Sequence, residues 1–349
     1  MRLLIIAQRA DKNDANLGFF HKWIEEFAEN AENVFVIAQF AGEYDFQDNV
    51  KIFSLGKERG FSKFRQIVNF YKLLFRNLKA ADAVFVHMIP MWVVLGCPLF
   101  FIFRKKTYLW YVHKQVDFWF RISEKLINKI FTASPESCRI KSEKIIITGH
   151  GIDVKKFSIF NFQFSNKNQN PKFIIFSAGR ISKIKNQKIL IEAIDILINQ
   201  KNIFDFELQI AGLPIMKNDF EYLEYLKNFI KEKKLENYVK FLGGAPYDEI
   251  DKYYQNADLF INLSGTGSVD KAVLEAMSCG VNIITSNEAF FKILPKENIL
   301  KELNPPALAE KINLFLKGDR APKREFRDYV FKNHNLKENI IKMTEYMKQ

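Results

Sequence analysis

At 349 residues the chain has room for two domains, and its 48% hydrophobic content can fill a core in each. A net charge of +12, from 52 Lys and Arg against 40 Asp and Glu, directs it towards anionic partners such as nucleotide diphosphates, lipid headgroups or nucleic acid. Three cysteines, Cys97, Cys138 and Cys279, fit neither a disulfide framework nor a zinc motif, which points to a reduced, cytoplasmic setting.

The opening MRLLIIAQRADKND is charged too soon for a signal peptide. Arg2–Ala7 instead predicts a strand of the continuous apolar kind that parallel sheets bury. A polar loop ending at Gly18 leads into an amphipathic helix, FFHKWIEEFAEN, and Val34–Gln39 is the next strand. No GxGxxG follows the first strand, which weighs against a dinucleotide-dependent oxidoreductase. Phe61–Leu78 places apolar residues at helical spacing, and Lys57–Lys79 holds seven basic residues and one acid, Glu58. Such a helix either lies on an anionic membrane surface or packs on the sheet with a solvated basic face. Val84–Phe103 contains no Asp, Glu, Lys or Arg and has the length of a membrane span, but Pro90, Gly96 and Pro98 interrupt it and His87 lies inside. It is read as a strand, a turn at Pro90 and a buried helix. Thr107–Val112 is a strand ending on His113, followed by an apolar helix over Phe118–Ile127, a strand in KIFTAS, a helix start at PESCRI and a strand in SEKIIITGHGID. Residues 155–172 are polar and unpatterned, as a linker is.

The second half restarts with PKFIIFSAGRISKIKNQKILIEAIDIL, a strand, a loop carrying Arg180 and Lys185, and a helix. FELQIAG is a strand ending at Gly212, and YVKFLGGAP holds another with Phe241 and Leu242. Residues 256–286 then read strand, loop, helix, strand, which is a parallel crossover unit. Gly265 and Gly267 punctuate its loop, Ser268 or Asp270 can cap its helix, and Gly280 can end it. That loop is placed to offer backbone amides to an anion. A P-loop is excluded, because Asp270 stands where the second glycine must be.

VLEAMSCG, with Gly179-Arg180 upstream and Lys185 five positions after the arginine, resembles the donor-site signature of the family-4 retaining glycosyltransferases, group 1 glycosyltransferases of the GT-B fold. The likeness is strong over 172–290 and loose over 1–150. It implies an α/β protein of two Rossmann-like domains with parallel sheets facing a cleft. Residues 1–155 would form the acceptor side, with a C-terminal helix at 325–349 packing back on it, and 170–320 would bind the nucleotide sugar. The implied reaction moves a sugar from a nucleotide-diphosphate donor to a hydroxyl of a glycan or lipid-linked glycan, with retention. No metal, cofactor or nucleic acid is implied. The setting would be cell-envelope polysaccharide biosynthesis, in the cytoplasm or peripheral on the inner membrane face.

By the same resemblance Glu275 binds the ribose, Arg180 and Lys185 neutralise the leaving diphosphate, and His113 contacts the donor sugar. Gly18 belongs to the first loop, where donor phosphate and acceptor approach. Phe241, Leu242 and Gly243 flank the base, Gly212 belongs to the nucleotide-sugar site, and the backbone at Gly267 and Ser268 faces the anion. The family's first Glu corresponds to Gly267, so Asp270, with Lys271 beside it, is the nearest substitute. Each residue also has a plainer reading: Lys271–Glu275 as a surface pair, Asp270 as a cap, His113 as a structural histidine, Arg180 and Lys185 as solvated cations, Phe241 as core, Gly18 as a helix-start residue. Two other functions fit the same fold: a sugar-nucleotide epimerase, and an inactive binding or scaffold protein made plausible by Gly267.

Overall fold

The computed structural model describes residues 1–14, 16–158, 172–265 and 267–349. Most of the linker expected over 155–172 lies outside the described residues. The chain divides into two compact units, one of Met1–Asp153 with Asn333–Gln349 and one of Val154–Lys332.

In the first unit the strands are β1 (Arg2–Ala10), β2 (Asn33–Ala41), β3 (Val50–Ser54), β4 (Ala83–His87), β5 (Lys106–Trp110), β6 (Lys129–Thr132) and β7 (Ile145–Ile147). They form a seven-stranded parallel sheet in the order β3-β2-β1-β4-β5-β6-β7. Side chains alternate across β1, and both faces are buried, so the strand reads as an unbroken apolar run. Leu3 and Ile5 pack under α1 (Phe19–Asn30) and the C-terminal helix Leu336–Lys348. Leu4 and Ile6 pack under α2 (Lys63–Leu78), α3 (Pro90–Ile102) and α4 (Phe118–Leu126).

Three sequence expectations need correction here. Val84–Phe103 divides into β4 and α3, with Pro90 in the first helical turn, but α3 is not buried throughout, because Phe101 and Ile102 at its end are exposed. Among the described residues no helix is long and apolar enough to cross a membrane. The strand expected to end on His113 stops at Trp110, the partner of His87 at the end of β4; Met88 still donates to the Trp110 carbonyl at 2.9 Å, but its φ of +65° turns the β4 chain out of the ladder. PESCRI makes only a single 3-10 turn, Pro135–Ser137.

The second unit has β8 (Phe173–Ala178), β9 (Phe206–Ala211), β10 (Val239–Gly243), β11 (Leu259–Asn262) and β12 (Asn282–Thr285), in a five-stranded parallel sheet of order β10-β9-β8-β11-β12. Helices α5 (Gln187–Asp195), α6 (Lys217–Glu232), α7 (Ile250–Asn256), α8 (Lys271–Ser278), α9 (Pro305–Lys317) and α10 (Arg324–His334) accompany it. The chain runs outward from β8 through β9 to β10, then returns to lay β11 against the other edge of β8. The segments leaving β8 and β11 therefore diverge at a topological switch point, where open parallel sheets bind ligands. The helix expected at 325–349 is two helices, α10 and α11 (Leu336–Lys348). The break falls at Asn335, whose side chain accepts from Lys337 N at 3.1 Å and so starts a new helix.

Candidate functional site

The switch point of the second unit gathers charged and polar side chains from three segments. Beyond β8 the backbone passes through Gly179, at φ +145°, into Arg180. Gly212, at φ +149°, lies alongside, and a Cβ placed on it would stand 1.9 Å from the Gly179 carbonyl oxygen. The two loops therefore run backbone against backbone, and only glycine permits it. Gln187 stiffens the turn by donating to the Arg180 carbonyl at 3.0 Å. The half-exposed Arg180 side chain places Nε 3.8 Å from Oδ2 of Asp219, near the start of α6.

Lys185 closes a one-turn 3-10 helix, and the left-handed Asn186 after it ties the turn to β11 by donating to the Leu263 carbonyl at 2.8 Å. Lys185 Nζ lies 2.8 Å from Asp270 Oδ2 and 3.3 Å from Ser264 Oγ. Asp270 is the N-cap of α8: its Oδ1 accepts from Ala272 N at 3.2 Å, while Oδ2 also accepts from Asn262 at 3.1 Å. Burial works against the Asp270 charge, but Lys185, Asn262 and the Ala272 amide outweigh it and hold the carboxyl below its ordinary pKa. Of the two possible caps Asp270 takes the role. Ser268 is half-buried, with its carbonyl accepting from Asn287 Nδ2 at 2.8 Å. Gly267 sits at φ +66°, a left-handed conformation that a glutamate would adopt only under strain.

One turn into α8, Glu275 is buried. Its Oε2 accepts from the Tyr254 hydroxyl of α7 at 3.0 Å, and its Oε1 is paired with Lys271. The Lys271 ammonium lies 5.0 Å from the Tyr247 ring centre and 5.6 Å from that of Phe157. The pairing of Lys271 with Glu275 is real, but it is a buried cluster walled by aromatic rings and not a surface pair. Burial, and then the Glu275 charge, push the Tyr254 hydroxyl pKa well above its usual value.

The remaining candidates lie elsewhere. Phe241 and Leu242 are half-buried at a bulge in β10, and the Phe241 ring packs on the core of the second unit. Gly18 precedes α1 at φ −55°, which any residue adopts, and its N–H donates to the Asp14 carbonyl at 2.8 Å. His113 is exposed in the loop after β5, where Nδ1 accepts from Gln115 N at 3.1 Å. Gly18 and His113 belong to the first unit, whereas Arg180, Lys185, Asp270, Lys271 and Glu275 belong to the second. Sequence reasoning missed Tyr254, Asn262 and Ser264; the only signal was that polar residues at a strand end, NLS, interrupt an apolar run. Among the described residues no three His, Cys, Asp or Glu side chains cluster as a metal site requires.

The two parallel sheets are those of the GT-B fold. Anabaena HepE in complex with UDP and glucose superposes with a TM-score of 0.80 at 16% identity, covering 100% of this chain and 99% of that one. A glycosyltransferase from Rickettsia africae ESF-5 does so with a TM-score of 0.75 at 17% identity, covering 99% and 98%. Residues 158–334, half of the chain, match the model of the glycosyl transferases group 1, and the chain belongs to that family. The amylovoran biosynthesis glycosyltransferase AmsK of Erwinia amylovora is 29% identical over 181 residues, covering 50% of this chain and 42% of that protein. The putative colanic acid biosynthesis glycosyltransferase WcaL of Escherichia coli is 24% identical over 187 residues, covering 51% and 43%. The chain thus spans less than half the length of these curated relatives.

Proposed function

We propose that the protein transfers a sugar from a nucleotide-diphosphate donor to a hydroxyl of a glycan or lipid-linked glycan, with retention and without a metal or other cofactor. The observation that carries this reading is the meeting of Lys185 with Asp270 and Ser264 at the switch point, next to Arg180. A diphosphate leaving group gains charge as the glycosidic bond breaks, and fixed cations at a strand's carboxyl end stabilise that charge. An ammonium has three donors, of which Asp270 and Ser264 engage two, so a phosphate oxygen can take the third. Arg180 offers a fork that binds two phosphate oxygens at once. Glu275 accepts from the ribose hydroxyls, displacing Lys271 from one oxygen. The names of AmsK and WcaL support a place in polysaccharide biosynthesis, and the UDP bound to HepE supports a nucleotide donor. A lipid-linked acceptor would put the reaction on the inner membrane face.

Gly267 favours a second reading, an inactive binding protein, since no carboxylate occupies that position. Thermal shift against uridine, guanosine and adenosine diphosphosugars identifies the donor, and nucleotide release with acceptor present separates transferase from binder. Stabilisation by none of the donors would overturn the proposal.

A further inference from the structure

Helix α2 carries two apolar stripes, and the fold uses only one. Phe70, Leu74 and Leu78 are buried against the sheet. Phe64, Val68 and Phe75, spaced by four and seven residues, share a second stripe and are 77%, 53% and 55% exposed. Beside them α3 ends in Phe101 and Ile102, 83% and 68% exposed. The two helices lie side by side: Tyr71 of α2 donates to the Leu95 carbonyl of α3 at 2.8 Å, and the rings of Phe75 and Phe103 meet edge-on at 5.8 Å.

The charges that α2 and the end of α3 themselves bring to this surface have one sign. Helix α2 contains no acidic residue, and Lys63, Arg65, Lys72 and Arg76 flank its exposed stripe, with Lys79 just beyond. Lys79 Nζ stands 5.8 Å from the Phe75 ring centre. Arg104, Lys105 and Lys106 follow α3, and Arg104 holds φ +51°, a left-handed position at a helix end where glycine is usual. On the opposite face of the same sheet the charges are mixed: α1 carries Lys22 with Glu25, Glu26 and Glu29, and the C-terminal helix carries Lys337, Lys342 and Lys348 with Glu338 and Glu345.

We propose that the outer flank of α2, with the end of α3, seats on an anionic lipid bilayer. The five exposed apolar side chains enter the boundary between headgroups and acyl chains, and the surrounding cations meet lipid phosphates. Nucleic acid would satisfy the cations and could stack on the phenylalanines, but it offers nothing to the aliphatic Val68 and Ile102; hydrocarbon accepts both. The proposal deepens the lipid-linked acceptor reading and rests on it only for the reason a transferase would sit there.

Vesicle flotation of the full chain tests it, with phosphatidylcholine vesicles made with and without phosphatidylglycerol. Binding only to the anionic vesicles, weakening with salt, is expected. Each cation near an anionic surface is worth about five-fold in partition, so Lys72→Gln with Arg76→Gln lowers it about 25-fold. Phe75→Ser with Phe101→Ser removes the salt-resistant part. All four positions are exposed, and unchanged circular dichroism and melting certify the variants as folded. Equal partition to both vesicle types, or variants that bind like the parent, would overturn the proposal. So would a dimer that dissociates in Phe75→Ser in a chain that ignores vesicles, since that assigns the surface to a second copy. Vesicle binding by a chain that transfers no sugar leaves this proposal standing and sinks the transferase reading; transfer without vesicle binding does the reverse.

Discussion

Tyr254 and Glu275 lie on neighbouring helices and meet through a buried hydrogen bond of 3.0 Å, while Lys271 grips the other oxygen of the same carboxylate. Glu275 is therefore locked in place before any ligand arrives. Tyr254→Phe removes one donor from a buried acceptor and should destabilise the second unit by about 1 kcal/mol. If Glu275 reads the ribose, the same variant also weakens nucleoside-diphosphate affinity a few-fold while leaving a free diphosphate's affinity unchanged. Calorimetric titration with both ligands checks this.

Arg180 is half-exposed, with a loose ion pair to Asp219, so its removal leaves the fold intact. Arg180→Ala should weaken nucleotide-diphosphate binding by about 1.5–3 kcal/mol, the worth of a charged hydrogen bond. Unchanged affinity at equal folded fraction would remove Arg180 from the site.

Asp270 caps α8 and neutralises Lys185. Asp270→Ala loses both contributions and should cost about 2 kcal/mol or more, whereas Asp270→Asn keeps the cap and costs less. The folded carboxyl titrates below its unfolded value, so its stabilisation is complete above about pH 4 and is lost as pH falls through the lower folded-state value. Urea midpoints of parent and Asp270→Asn should converge as the pH drops below about 4.

His87, at the end of β4, is buried and stacked on Phe20 at 4.0 Å. Burial, and then the nearby His150, push its pKa down to about 3. An unfolded histidine protonates near pH 6.5, so the unfolded state binds the extra proton and the first unit loses stability as pH falls from there towards about 3. His334, driven down to about 4 by burial, adds to the same slope. Replacing His87 by Leu should flatten the fall in melting temperature between pH 6.5 and pH 4; an unchanged slope would show that His87 does not titrate on unfolding.

Gly212→Ala forces a methyl group into the Gly179 carbonyl at 1.9 Å. The β8 and β9 loops must separate, which should cost several kcal/mol and displace Arg180. A variant that melts like the parent would show that the loops yield freely.

Much of this was legible in the residues. Continuous apolar runs announced parallel strands, and the spacing from Gly179 to Lys185 placed both cations on the turn after β8. Tyr254 was not legible, because its partner lies 21 residues on and the two meet only when α7 packs beside α8. The choice between Ser268 and Asp270 as cap was open by pattern; the charge of Lys185, reaching in from another loop, accompanies the outcome. His113 fell outside its strand because the β4 chain turns out of the ladder at Met88. For α2 the sequence left a membrane surface and the sheet as alternatives and did not separate its two stripes, because periodicity says which residues share a face and not which face the sheet covers.

The C-terminal helix Leu336–Lys348 belongs to the first unit, where Ile340 and Met343 cover Trp23 and Phe27. The second unit is thus an insertion within the chain of the first. On the ribosome, residues 1–153 emerge ahead of the second unit, yet one side of their sheet stays without its second helix until residues 336–348 appear. The newborn chain must carry that open apolar side through the whole synthesis of the inserted unit, a window in which a chaperone has most to shield.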